Sequence, residues 1–549
     1  MAEHGLSAVL AQGVAAEPHR PWPRLRVSPE GWSRAVELLA RGACTLVSLW
    51  GDTAEVHLAL LDEKTGTLAV VSVDAARGRF PSVARTFPPA ARLERAIHDL
   101  FGLEPEEAAD ARPWLDHGRW GLRAPLGAGS AVPLVPRASA QAVPLVPRAS
   151  AQAVPLVPRA SAQAVPLVPR ASARNVPQAA AADYPFLAAE GESLHQVPVG
   201  PVHAGTIEPG HFRFTANGEA VVRLEERLGY AHKGTEALMR GADLARAARL
   251  AGRVSGDSTV AYALAFARAV EAAAGAEVPA RAVWLRALLA ELERAANHLG
   301  DIGAICNDAA FAMIHAHCAI LREEVLRASA DCFGHRLMMD CIRPGGVAVD
   351  LEPQGAERLH GLVRLVRRRF PAIVTLYDDA ASLQDRTVGT GILKPELARQ
   401  FGCGGFIGRA SGRDFDARRN LAYPPYDQLR FVLPARKDGD VNARIWVRVR
   451  EVEQSLAMVE QILAALPAGA TQAPVPSLAA EGAAIVESFR GDVFVWVRIG
   501  RDGSVERCHL RDPSWFQWPV LEAVIEGNIV ADFPLCNKSF NCSYSGHDL

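Results

Sequence analysis

The chain has 549 residues, 49% apolar and 22% charged, and its 59 basic and 61 acidic side chains leave a formal charge of −2. That length exceeds one hydrophobic core and points to two or more domains of ordinary globular composition. The balance argues against a nucleic-acid surface, which needs a clustered basic footprint, and nine cysteines with no C-x-x-C argue against a disulfide framework and for a reducing compartment.

In chain order, the first twenty residues carry an early Glu and no basic stretch, so no secretory signal is expected. Nowhere does a run of about 18 uncharged apolar residues mark a membrane-spanning helix. From about residue 21 strand and helix signals alternate. CTLVSLWG, VHLALLDE and GTLAVVSVD read as strands and AARLERAIHDLFGLEP as a charged helix, which makes 1–125 a small α/β domain. A repeat follows: AVPLVPRASAQ starts at Ala131, Ala142 and Ala153, and a fourth copy from Ala164 decays. Two prolines per unit forbid a helix, so 126–185 reads as an extended Pro-rich linker reaching about 3.1 Å per residue. Partner binding by its PxxP-like units is the alternative.

Long helices dominate 186–549. RAVWLRALLAELERAANHLGDIG places Leu285, Leu288, Leu289, Leu292, Ala296 and Leu299 on one stripe. VAYALAFARAVEAAAG is apolar on nearly every side, as for a helix inside a bundle, and another helix is expected at 443–466. HFRFTANGEAVVRLEERLG and DVFVWVRIGRDGSVERCHLRD add minor β-sheet. The fold class is therefore α+β, with a mainly helical larger domain.

Common catalytic signatures are missing: the chain has no phosphate-binding loop, no H-E-x-x-H and no G-x-S-x-G. His315 and His317 project about 200° apart on a helix and read as packing residues beside Cys318, not as metal ligands. Cys536 and Cys542, with five residues between them, make a weak zinc signal.

Several phrases stand in a definite order: GPVHAGTIEPGHFRF (200–214), YAHKGTE (230–236), RVSGDSTVAYALAFARAVE (253–271), DRTVGTGIL (385–393), GRASG (408–412), FRGD (489–492) and the terminal DFPLCNKSFNCSYSGHDL. Over 190–549 they resemble the large subunit of membrane-bound [NiFe] hydrogenases of the formate-hydrogenlyase type, which is itself similar to the D-type subunit of respiratory complex I. The first domain, through LERAIHDLFGLEPEEAADARPWLDHGRW (93–120), looks like the C-type subunit of complex I, so the whole resembles a C–D fusion. In active hydrogenases of this kind two C-x-x-C pairs hold nickel and iron. On the resemblance those four positions fall on Ser255, Ser258, Ser543 and Gly546. A nickel–iron centre needs soft thiolates; serine stays protonated and glycine offers no ligand, so no metal and no hydrogen activation are expected of this chain.

The resemblance also implies a quinone cavity. His203 and His211 fall in the matching hairpin region, with Asp308 where a carboxylate partner would stand and Gly256 at the position of a headgroup-contacting tyrosine. A His–Asp pair would hold and reprotonate a reduced quinone, the alternative being that both histidines only stabilise the hairpin. Glu236, Arg253, Arg409, Arg490 and Asp492 are candidates for a polar cavity wall or a structural ion-pair network. The resemblance implies a small iron–sulfur subunit (similar to the B-type subunit of complex I) carrying the cluster, antiporter-like membrane subunits, and a peripheral place on the cytoplasmic face of the inner membrane. NAD binding enters only at the level of the family, since no dinucleotide fingerprint is present. Two functions follow from it: electron transfer to a quinone-like acceptor or proton coupling, or a non-catalytic scaffold.

Overall fold

The computed structural model describes residues 5–11, 13–16, 18–128, 184–204 and 207–549. The 11-residue repeat lies outside the described residues. The smaller unit is built on a five-stranded sheet in the order Val14–Ala15, Arg24–Arg26, Thr67–Asp74, Glu55–Asp62, Thr45–Gly51. Arg24–Arg26 runs parallel to Thr67–Asp74 and the other pairs are antiparallel. Helices Pro29–Ala40 and Ala91–Phe101 pack on it. Ser28 caps the first, and Gly102 stops the second at φ 71, a left-handed backbone that glycine adopts without steric cost.

Apolar residues on both faces of this sheet make it part of two cores. Val56, Leu58 and Leu60, with Val71 and Val73, join its own helices, whereas Ala59, Leu61, Leu68 and Val70 point the other way into the larger unit. The alternation follows from the two-residue period of a strand. Trp50 closes that second face: its ring lies 5.7 Å from Trp496 and stacks on His509 at 5.0 Å. Ion pairs Arg24–Glu481 (2.7 Å) and Arg498–Asp52 (2.6 Å) cross the junction. The N-terminal strand His19–Arg20 even adds in parallel to the larger unit's sheet at Glu481–Gly482.

That sheet runs Val505–Arg511, Gly491–Ile499, Ala480–Ser488, His19–Arg20. Against it lies the apolar helix Thr259–Ala274. The sequence pattern places this helix inside a bundle; it instead separates the sheet from helix Ala280–Asp308. Its alanines allow a very close approach, because a Cβ on Gly482 would lie 2.1 Å from the Ala269 carbonyl oxygen. Helices Ala312–Phe333, Pro353–Asp379 and Val441–Ala465 complete the bundle. The last starts two residues before expectation, where the Asp440 carboxylate accepts from the Ala443 amide at 2.7 Å. A three-stranded antiparallel sheet, Leu194–Val199, His211–Asn217 and Ala220–Arg227, stands at the other end beside the short C-terminal helices Phe533–Phe540 and Tyr544–Asp548. Among the described residues no helix is long and apolar enough to cross a membrane.

Candidate functional site

A cavity of about 570 Å³ opens between the loop joining Leu194–Val199 to His211–Asn217, the turn at 255–257, the end of helix Ala280–Asp308 and the C-terminal helices. Glu208, Asp257, Asp308, Arg490 and Lys538 bring charge to its wall, and His203 adds an imidazole. Arg490 and Asp257 form its strongest pair, with Arg490 Nη1 and Nη2 at 2.8 and 2.5 Å from the two carboxylate oxygens. Burial works against the charge on Asp257, and Arg490 overcomes it, holding the carboxyl at about 2. Arg490 also donates to the Asn541 carbonyl (2.6 Å) and the Ser258 hydroxyl (3.0 Å), and Asn541 donates to Asp301.

Ser255, Ser258, Ser543 and Gly546 come together behind this pair. Ser255 Oγ donates to Asp257 at 2.7 Å and accepts from Ser543 Oγ at 3.1 Å, and Ser543 Oγ accepts from the Gly546 amide at 2.9 Å. Gly546 has no space for a side chain: a Cβ would lie 2.4 Å from Asp512 Oδ2 and 2.9 Å from Ser543 Oγ. Asp512 is pinned there, since Oδ2 accepts from the Tyr262 hydroxyl at 2.6 Å and Oδ1 from the Ser514 amide at 2.8 Å. The nearby thiols are no substitute for lost ligands. Burial raises the Cys542 thiol well above its ordinary range and pushes Cys536 up to about 12, so both stay protonated. The residues present therefore do not fit a thiolate-held metal centre.

The two histidines part company. His203 lines the cavity, and its Nε2–H donates to the Gly210 carbonyl at 2.8 Å, which leaves Nδ1 as the acceptor of the neutral ring. His211, expected beside it, faces the opposite side of the hairpin. Strand alternation sends Phe212 to the cavity and His211 into a separate groove with Tyr184, Phe186 and Arg227. There its Nδ1–H donates to the Gly200 carbonyl and its Nε2 accepts from Arg213, and burial together with that arginine depresses the imidazole pKa. Neither histidine bonds Asp308, so the expected His–Asp pair is not formed, although His203 and Asp308 share the cavity. Gly256 lies on the wall with open space where its side chain would be.

Of the other polar candidates only Arg490 reaches this cavity. Arg253 is a surface residue, 41% exposed, in a two-pronged pair with Asp340 at 2.7 Å; the turn after helix Leu244–Ala251 carries it outward. Arg409 is wholly buried in a network with Asp416, Glu451 and Glu487, which raises its pKa against the cost of burial. Asp492 pairs with Arg511 at 2.5 Å. Glu236 belongs to the junction between the two units, where Arg507 (2.7 Å) and His509 (2.9 Å) hold it at about 2 despite burial. His315 and His317 are exposed on helix Ala312–Phe333, and among the described residues no group of three His, Cys, Asp or Glu is placed to hold a metal ion. Asp257, Asp512, Lys538 and Asn541 were missed as site residues, although Asp257, Lys538 and Asn541 stand inside the motif phrases and Asp512 ends the strand stretch that follows FRGD. Their residue types gave no signal until the tertiary contacts paired them.

Two family models match the chain: the respiratory-chain NADH dehydrogenase 30 kDa subunit over residues 25–129 and the 49 kDa subunit over residues 308–484. The carbon monoxide-induced hydrogenase of Rhodospirillum rubrum is 30% identical over 352 residues, 64% of this chain and 98% of that protein. The D-type subunit of the NADH-quinone oxidoreductase of Syntrophobacter fumaroxidans is 32% identical, across 63% of this chain and 94% of that one. Formate hydrogenlyase subunit 5 of Escherichia coli is 29% identical across 87% of this chain and 78% of that one. Among solved structures, one of the membrane-bound sulfane sulfur reductase, an archaeal respiratory membrane complex, has a chain that matches with a TM-score of 0.61 and 26% identity, over 65% of this chain and 99% of that one. A 30 kDa-type unit fused ahead of a 49 kDa-type unit defines a large subunit of the complex I-related class. Within that class, the chain belongs to the family that joins the 49 kDa (D-type) subunits of complex I to the large subunits of formate-hydrogenlyase-type hydrogenases.

Proposed function

We propose that this chain is the electron-accepting-site subunit of a membrane-bound complex I-related oxidoreductase, and that it reduces a quinone-like acceptor without activating hydrogen. The observation that carries the reading is the Ser255–Ser543–Gly546 cluster. Where the family's resemblance puts four thiolates, hydroxyls bond one another and Asp512 fills the space a fourth side chain would need. Beside it the cavity remains, large enough for a ring headgroup and lined by groups that can hold and protonate one.

In this reading two electrons arrive from an iron–sulfur cluster in a small partner protein, and two protons convert the quinone to the quinol. Lys538 and Arg490 present cationic donors to the oxygen on which negative charge grows. His203 delivers one proton: as an imidazolium it carries hydrogen on Nδ1 while Nε2–H stays anchored on Gly210, it is recharged from solvent, and the second proton comes from water at the open side of the cavity. His211 has both ring nitrogens engaged and only shapes the hairpin. Partner subunits of the antiporter type would anchor the assembly to the cytoplasmic side of the membrane.

Metal analysis of the assembled complex should find no nickel, and stoichiometric nickel would overturn the proposal. A short-chain ubiquinone analogue should bind the wild-type complex and lose at least ten-fold in affinity with His203→Ala, but little with His211→Ala. Absence of binding to the intact complex would instead leave a purely structural, conformation-transmitting role.

A further inference from the structure

Ser543, a member of the serine cluster, also places an aromatic side chain on the wall of the 570 Å³ cavity. Its hydroxyl accepts from the Gly546 amide at 2.9 Å and so caps helix Tyr544–Asp548, which fixes Tyr544 as the first helical residue. The ring is held by its neighbours. Trp518 lies 4.8 Å away between ring centroids, and a Cβ on Gly210 would stand 2.4 Å from Tyr544 Cε1. The backbone at Gly210 is not in the left-handed region, so it is the tyrosine ring that requires a glycine there. The same Gly210 carries the carbonyl that anchors His203, so both side chains take their position from one residue.

The Tyr544 hydroxyl stands apart from the other polar groups of the wall. The residue is only 7% exposed, and its Oη has no hydrogen-bond partner among the described residues. The Asn537 side chain, half-buried on the same wall, is close enough to ease ionisation of the phenol but stands outside hydrogen-bonding geometry. Burial outweighs it and raises the phenol above its ordinary range, so the group is a donor at neutral pH. A buried O–H without an acceptor is costly, and packing alone would be met by phenylalanine. What the donor lacks is an acceptor oxygen. Phe212 and Phe533 share the wall with rings 4.7 Å apart, and Phe212 leads through Trp518, at 6.1 Å, toward Tyr544. An aromatic row with one unmatched donor suits a flat ring that bears a carbonyl.

We propose that Tyr544 is a binding residue for the ring headgroup: a carbonyl oxygen of the ligand displaces the Asn537 side chain and accepts from the Tyr544 hydroxyl, which orients the ring toward His203. The assignment rests on the quinone reading above. Tyr544 transfers no proton, and the two protons still come from His203 and water.

The test is titration of the assembled complex with the short-chain ubiquinone analogue. Tyr544→Phe keeps the ring against Trp518 and Gly210 and removes only the oxygen. It should weaken binding about five-fold, the value of one hydrogen bond. The urea midpoint of the variant should stay level or rise, because the oxygen removed had no partner. With an analogue isotope-labelled at its carbonyls, binding to wild type should lower a carbonyl stretching frequency in the infrared difference spectrum, and Tyr544→Phe should abolish that shift. Asn537→Ala, which removes the displaced side chain, should bind at least as tightly as wild type. Unchanged affinity or an unchanged infrared band in Tyr544→Phe would overturn the assignment and leave the quinone reading standing. A lowered urea midpoint would do the same by marking the hydroxyl as a structural partner, and so would a loss at Asn537→Ala equal to that at Tyr544→Phe. No binding to the wild-type complex would overturn both.

Discussion

Replacing Asp257 by asparagine removes one partner of the pair that organises the C-terminal cavity. The carboxylate accepts from Arg490 through both oxygens and from Ser255 at 2.7 Å, so an amide NH₂ on either side would face a donor. A carboxyl held at about 2, against the ordinary 3.8, contributes about 2 kcal/mol at neutral pH. Its folded pKa is depressed, so this stability is fully present above pH 3.8 and is lost as the pH falls toward 2. Breaking a buried pair costs about 3–5 kcal/mol in the deep interior. The Asp257 side chain is 33% exposed, which places the expectation for Asp257→Asn at about 2–3 kcal/mol. Urea unfolding of wild type, Asp257→Asn, Arg490→Met and the double variant at pH 7 measures the coupling by a double-mutant cycle. The double variant should recover about 2 kcal/mol of the summed single losses. A coupling below about 0.5 kcal/mol would refute the pair as the organising contact.

Two further expectations concern packing and thiols. Gly482→Ala should cost about 1–3 kcal/mol, because the added methyl would strike the Ala269 carbonyl and the Ala273 amide of helix Thr259–Ala274; a urea midpoint unchanged from wild type would contradict the close helix–sheet contact. All nine thiols should resist iodoacetamide at pH 7.5 in the native chain, since burial raises every one of them, Cys403 to about 12 for example. Half-buried Cys332, at about 11, should react first as the pH is raised, and rapid labelling of Cys542 at neutral pH, read by mass spectrometry, would count against its burial.

Much of the secondary structure was legible because its signals are local. The strands at Glu55–Asp62 and Thr67–Asp74 announce themselves by β-branched and aliphatic runs, and the Leu285–Leu299 stripe by helical spacing. Helix Thr259–Ala274 was legible as a helix but not as the layer under a sheet, because an all-round apolar surface says only that something covers it. The site was half legible. The motif phrases located Ser255, Ser258, Ser543 and Gly546, and the structure brings three of them into one hydrogen-bonded cluster, with Ser258 bonded to Asp257 beside it. His203 and His211 looked equivalent, being eight positions apart in one hairpin region. Strand alternation and the course of the loop put them on different sides of it.

Residue type and local spacing thus set the periodicities and the order of the motif phrases, with serines at 255, 258 and 543 and glycine at 546. Those are properties of short stretches and survive any folding of the rest. Long-range pairing determined the remainder. Arg490 finds Asp257 across 233 positions, Tyr262 holds Asp512 under Gly546 across 250, and one face of the small unit's sheet becomes core of the large one. A buried charge is tolerated only beside its partner and a glycine is required only where another atom approaches. Both conditions concern neighbours in space, and order along the chain does not supply them.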